Sequence, residues 1–220
     1  MLLTSLRYFF GGAITADLPQ DFIDASQFRE IPDHQEVLVN INDERSIMIE
    51  LLEFAPVDDI DVSKFHFDLL AQDNEAEESL ILNVSCVTLE KSGYTVYLLE
   101  GLQKIFKYNK QSADYVNKEV VNPLLVPYVA IFLSVLRLHE KSTDIIISIN
   151  IPFLEIQYLS SFFKDSSFKI SELVSSSDLN HLNILKNIFD MQEVQFSTRE
   201  TLLNILNTLQ IHDWSLFVNN

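Results

Sequence analysis

Apolar positions along this chain follow two rhythms, an alternation with period two and a helical spacing of three to four, and polar links separate them. Residues 13–18 read as a first strand, ended by the turn Pro19-Gln20-Asp21. Residues 36–41 alternate, which puts Val37, Val39 and Ile41 on one face, whereas 46–54 is almost continuously apolar. The polar link Asn42-Asp43-Glu44-Arg45 between them suits a hairpin. An all-apolar run needs cover on both faces, so the second strand of that hairpin is predicted to be central. Residues 59–72 fit an amphipathic helix, with Ile60, Phe65 and either Leu69 or Leu70 inward and Ser63 and Lys64 outward. Strands over 80–89 and 94–99 follow, joined through Glu90-Lys91-Ser92-Gly93. Residues 126–138 and 144–151 form another pair across 139–143, although the first is long enough to be helical.

The stretch 152–195 is less regular and rich in serine, and reads as an elaboration carrying a helix near 178–189. Beyond it, Ser197-Thr198-Arg199-Glu200 matches a capping box, in which the serine hydroxyl and the glutamate each satisfy a free backbone N–H. Leu202, Leu203, Ile205, Leu206 and Leu209 then supply a buried stripe. Antiparallel strands with helices inserted and appended predict an α+β domain, helices packed on a central sheet. With no internal repeat and no clear linker, residues 1–220 are expected to be one domain.

Composition adds direction. The chain has 15 Lys and Arg against 32 Asp and Glu, a net charge of −17, which repels phosphate backbones and anionic headgroups and attracts basic protein surfaces. Nucleic acid and membrane are therefore poor partners, and the charge favours a monomer. Between Asp17 and Asp61 there are thirteen acidic residues against Arg29 and Arg45, so −11 of the −17 lies in that stretch. Such local acidity serves either solubility or a docking surface. Cys86, alone in the chain, excludes a disulfide framework within it and is expected to be a small buried thiol in a reducing compartment. The apolar start lacks the basic residues of a leader and is interrupted by Arg7. No run reaches the roughly 20 uncharged apolar residues of a membrane helix, so a soluble, intracellular protein is expected.

Several chemistries lack their residues. Four glycines, at 11, 12, 93 and 101, build neither a Walker loop nor a dinucleotide fingerprint. Gly11-Gly12 instead suits a tight turn or close backbone packing at a sheet edge. Five scattered histidines show no ligand spacing, and His66, between Phe65 and Phe67, reads as a core or boundary residue. That leaves the polar segment REIPDHQEV over 29–37. Asp33, His34 and Glu36 come from one turn and seldom converge on a metal without other ligands. An acid and base pair needs one carboxyl desolvated, and a polar turn after Pro32 offers no burial, so contact with a partner is the better use of Asp33 and Glu36.

Taken with its neighbours, the segment resembles a known family. Phe10-Gly11-Gly12-Ala13-Ile14, Phe22-Ile23-Asp24-Ala25-Ser26, Ile31-Pro32-Asp33-His34-Gln35-Glu36-Val37 and Ser46-Ile47-Met48-Ile49-Glu50-Leu51-Leu52-Glu53 are similar to blocks of the Mog family, the Ran-binding nuclear import factors also called Ran guanine nucleotide release factors. A late strand over 143–152 and the ending His212-Asp213-Trp214-Ser215-Leu216-Phe217 fit the same family in the same order. The resemblance implies a PsbP-like α/β/α sandwich, a mostly antiparallel sheet flanked by helices, with no cofactor. It implies binding of the GTPase Ran in its GTP-bound form, release of that GTP, and support of nuclear import by a regulatory factor that is no enzyme. It further implies a nuclear protein that shuttles with the cytoplasm and meets other Ran-binding import factors. The family's Ran-contact carboxylates fall on Asp33 and Glu36, with Asp24, Glu30 and Gln35 as companion contact residues. The serine-rich 154–195 departs from the family pattern, and an acidic scaffold on the same fold, without effect on a GTPase, stands as the rival reading.

Overall fold

In the computed structural model, residues 3–105, 127–154 and 193–217 are described. Among these residues ten strands run in chain order: β1 (Thr4–Phe9), β2 (Ile14–Pro19), β3 (Phe22–Asp24), β4 (Gln35–Asn40), β5 (Ser46–Glu53), β6 (Glu78–Thr88), β7 (Thr95–Lys104), β8 (Pro127–Leu138), β9 (Thr143–Leu154) and β10 (Gln210–Ile211). Helix α1 (Val62–Asp73) follows β5, and α2 (Glu193–Thr208) precedes β10. β3-β4-β5-β9-β8-β7-β6 form one antiparallel sheet and β1-β2-β10 a second, smaller one.

The large sheet is buried on both faces because its central strands are apolar on both. Along β8, Ala130, Phe132 and Leu136 turn to one side and Val129, Ile131, Leu133 and Val135 to the other, all buried. The first face packs on Ile14, Ala16 and Leu18 of β2 and on Leu202, Ile205 and Leu206 of α2. The second packs on Val62 and Phe67 of α1. The small sheet with α2, the large sheet, and α1 thus make the three layers of an α+β sandwich. β5 lies between β4 and β9, as its almost continuously apolar run predicts, and of the run over 126–138 the described Pro127–Leu138 is strand rather than helix.

Several sequence expectations need correction. Residues 4–9, read only as a failed leader, form β1, the partner of β2. On β4 both Val37 and Leu38 are buried, while Ile41 lies beyond the strand and is exposed, so a single inward face does not describe it. Residues 59–61 are a 3-10 turn, and α1 takes its phase from Val62. That rotation buries Ser63, expected outward, and exposes Ile60, expected inward, while Phe65 and Leu70 pack inward and Lys64 stays outward as expected. α2 is already helical from Glu193 to Ser197, which puts Ser197 inside the helix, where its carbonyl accepts from Thr201 Oγ1 at 2.8 Å; the capping box is not at a helix start. Cys86 is exposed, because β6 is an edge strand of the sheet as described. The helix expected near 178–189 lies outside the described residues.

Candidate functional site: an acidic rim beside a glycine turn

The acidic segment is set by the way β4 enters the sheet. After β3, Asp24 caps the 3-10 turn Ala25–Gln27, its two oxygens accepting from Ser26 N at 2.8 Å and Ser26 Oγ at 2.7 Å. The chain then runs exposed through Phe28, Arg29 and Glu30 to Pro32, whose carbonyl accepts from Gln35 N at 2.9 Å. Closing that turn fixes Asp33 and His34 outward, and His34 O accepts from Leu51 N at 2.9 Å to begin the β4–β5 ladder. Asp33 and Glu30 are exposed, as a partner contact requires.

Glu36 and Gln35 behave differently from Asp33. Gln35 donates its side-chain amide to Glu50 Oε1 at 2.7 Å, across the register pair it makes with Glu50. Glu36 is half-buried on β4, and its Oε1 accepts the backbone N–H of Phe10 at 2.5 Å. Burial pushes the Glu36 carboxyl above its ordinary pKa; the Phe10 N–H opposes that and the nearby Asp24 adds to it. Burial likewise raises Glu50, against the pull of His34 and Gln35. The exposed, undesolvated turn expected for the whole segment therefore holds for Asp33 and not for Glu36, because β4 starts at Gln35 and carries Glu36 against the 10–12 turn.

Asp24, Glu36 and Phe10 are thus brought together, while Glu30 and Asp33 stand apart on the outer turn. No cation forms an ion pair with Asp24, Glu30, Asp33 or Glu36 among the described residues. Those residues hold no group of three His, Cys, Asp or Glu able to bind a metal, and Asp33, His34 and Glu36 do not gather into one. Phe28 is 69 % exposed amid this acidic stretch; its sequence signal is a large aromatic whose neighbours at strand spacing, Ser26 and Glu30, are both polar. An exposed aromatic among charges is a common anchor of protein interfaces.

A second charged group surrounds Arg137, whose guanidinium lies 3.7 Å over the Phe54 ring. It donates to Asp144 Oδ1 at 3.1 Å, Asp59 Oδ1 at 3.0 Å, Val57 O at 2.8 Å and Ala55 O at 2.6 Å. Asp144 also lies 2.9 Å from His66 Nε2 and accepts from Ala55 N at 3.0 Å. Burial pushes the Asp144 carboxyl up, but His66, the Ala55 N–H and Arg137 outweigh it and hold the pKa below the usual range. The core reading of His66 is met, with its side chain 3 % exposed. Beside this group an open cleft of about 640 Å³ is lined by Asp59, Tyr94, Tyr97, His139 and Trp214 among others.

Residues 7–152 match the family model described as Ran-interacting Mog1 protein. The probable Ran guanine nucleotide release factor of Dictyostelium discoideum is 28 % identical over 97 % of this chain and 96 % of its own. The nuclear import protein mog1 of Schizosaccharomyces pombe is 35 % identical over 65 % of this chain and 74 % of its own. Among solved structures, the Ran-binding protein Mog1p of Saccharomyces cerevisiae superposes with a TM-score of 0.68 at 23 % identity, over 99 % of this chain and 100 % of the other, which shows a shared fold.

Proposed function

The chain belongs to the Ran-interacting Mog1 family, and from that premise we propose that it binds the small GTPase Ran, promotes release of Ran's nucleotide and supports nuclear protein import. The observation that carries the reading is the exposed acidic turn of Glu30 and Asp33, which has no cation of its own among the described residues on a chain of net charge −17. Carboxylates held in place without internal partners suit an external basic surface.

The mechanism follows from how a GTPase grips its nucleotide, through backbone N–H groups, a lysine and Mg²⁺. Asp33, with Asp24, Glu30, Gln35 and Glu36 behind it, engages basic or switch-region groups of GTP-bound Ran and stabilises a conformation that holds GTP less well. Linkage makes this reciprocal: the factor by which this protein weakens GTP binding is the factor by which GTP weakens the complex. Its part is regulatory rather than enzymatic, since any hydrolysis stays with Ran. It works as one domain over residues 1–220, resides in the nucleus with exchange to the cytoplasm, and meets other Ran-binding import factors there.

The test follows a fluorescent GTP analogue leaving Ran, with and without the protein, beside the Asp33→Ala/Glu36→Ala double variant. Faster release with the natural chain and not with the variant is expected. No acceleration and no complex would leave the acidic scaffold as the better reading.

A further inference from the structure

Residues 25–34 form the loop between β3 and β4, and the pairing of Asp24 with Leu38 closes its base, so the whole loop projects from one end of those strands. Its foot is Ala25, which is buried in the core. The Ala25 carbonyl accepts from Phe28 N at 3.0 Å and from Arg29 N at 3.1 Å, and these two hydrogen bonds fix the backbone at Phe28. The Phe28 side chain stands in solvent all the same, whereas Ile31, the other large apolar residue of the loop, is partly covered.

An isolated apolar side chain on a surface needs no explanation by itself. Phe28 differs in its setting. From Asp24 to Glu36 the chain carries four carboxylates against the single cation Arg29, none of the four is in an ion pair among the described residues, and Phe28 is the one large apolar side chain exposed between them. Asp24 precedes it, and Glu30, Asp33 and Glu36 follow. A partner that touches Asp24 and Asp33 lies against the loop that joins them, and Phe28 is on that loop. Protein interfaces place an aromatic at a desolvated centre and charges around it. A side chain with two torsions, on a backbone already fixed, also costs little to order on binding.

We propose that Phe28 is the apolar anchor of the Ran interface: it enters an apolar pocket of Ran whose border carries Lys or Arg, while Asp33 and the neighbouring carboxylates meet that border. The inference rests on the Ran reading above and adds to it a residue outside the acidic motif. It also divides the work. The charges steer the encounter and respond to salt; the ring slows departure and does not.

The test measures association and dissociation of the full chain with GTP-loaded Ran over a salt series, for the natural chain, Phe28→Ala, Phe28→Leu and Asp33→Ala. Phe28→Ala should weaken the complex about tenfold or more, mainly through faster dissociation, with the salt dependence of the natural chain. Phe28→Leu keeps an apolar side chain of similar reach and should bind within about threefold. Asp33→Ala should instead slow association and flatten the salt dependence. Because Phe28 is exposed, the unfolding midpoints of its variants should match the natural chain. Binding by Phe28→Ala within about twofold of the natural chain, an equal loss in Phe28→Leu, or a loss that vanishes at high salt would overturn the inference while the Ran reading stands. Absence of binding by the natural chain would remove the Ran reading, and this inference with it.

Discussion

Two sets of carboxylates sit toward the same end of the large sheet, where Gln35 pairs with Glu50 and Asp144 with Leu52 on β5, yet they are treated in opposite ways. Asp59 and Asp144 are matched: one guanidinium bridges both, His66 and His139 lie within 2.9 and 3.2 Å of them, and backbone and phenol donors complete the set. Asp24, Glu30, Asp33 and Glu36 have no cation among the described residues and are served by backbone or serine donors or by none. The difference separates structure from recognition. A fully buried carboxylate persists only when paired and hydrogen-bonded. Exposed carboxylates held by turns rather than by cations keep their field for another molecule.

The largest expected effect lies on the matched side. Arg137→Leu leaves Asp144 buried without its guanidinium and frees the carbonyls of Ala55 and Val57, so urea unfolding should show a loss of about 3–5 kcal/mol. Folded Arg137→Leu should still bind Ran. An equal loss of binding would join the two carboxylate sets into one site and break the comparison.

Salt acts the other way round. Between about 0.1 M and about 1 M salt the Debye length falls from about 10 Å to about 3 Å, so the Ran complex should weaken steeply while the Arg137–Asp144 contribution to stability, being buried, changes little. A salt series of dissociation constants beside unfolding midpoints separates the two.

The smallest effect concerns pH and has opposite signs in the two sets. Asp144 is depressed in the folded protein, so its stabilisation is present above the unfolded carboxylate pKa and is lost as pH falls through the folded value. Glu36 is raised, so its ionised form opposes folding, and that opposition fades as pH falls. Glu36→Gln should therefore match or slightly exceed the natural chain in stability near neutral pH, by less than about 1 kcal/mol because the group is only half-buried. The gap should close below the unfolded glutamate pKa of about 4.3. Guanidinium titrations across the pH range read it.

Much of the fold could be read from the chain because its strands are governed by local pattern. The run over 46–54 demanded burial on both faces, and Asn42-Asp43-Glu44-Arg45 and Glu90-Lys91-Ser92-Gly93 are links that hairpins use. Helical phase was harder. Residues 59–61 wind as a 3-10 turn, which shifts α1 so that Ser63 and His66 face the sheet, and only the distant Asp144 explains why His66 belongs there. The Ser197 capping signal failed because the residues from Glu193 onward are already helical and Ser197 is internal to α2. In the acidic motif the exposure of Asp33 followed from Pro32 and its polar neighbours. The half-burial of Glu36 did not, since its partner is a backbone N–H 26 residues away. Arg137, which anchors the matched set, had no sequence signal beyond a lone charge in an apolar strand, and that signal went unused.

The central claim is that the unmatched carboxylates serve a partner and not the fold. The most direct measurement is the dissociation constant of the Ran complex for Asp33→Lys, with the unfolding midpoint recorded on the same sample. A contact buried in the complex predicts weakening of about 2–5 kcal/mol, roughly thirtyfold or more, with stability within about 0.5 kcal/mol of the natural chain. An unchanged dissociation constant in a fully folded Asp33→Lys would contradict the account and remove this turn from the interface.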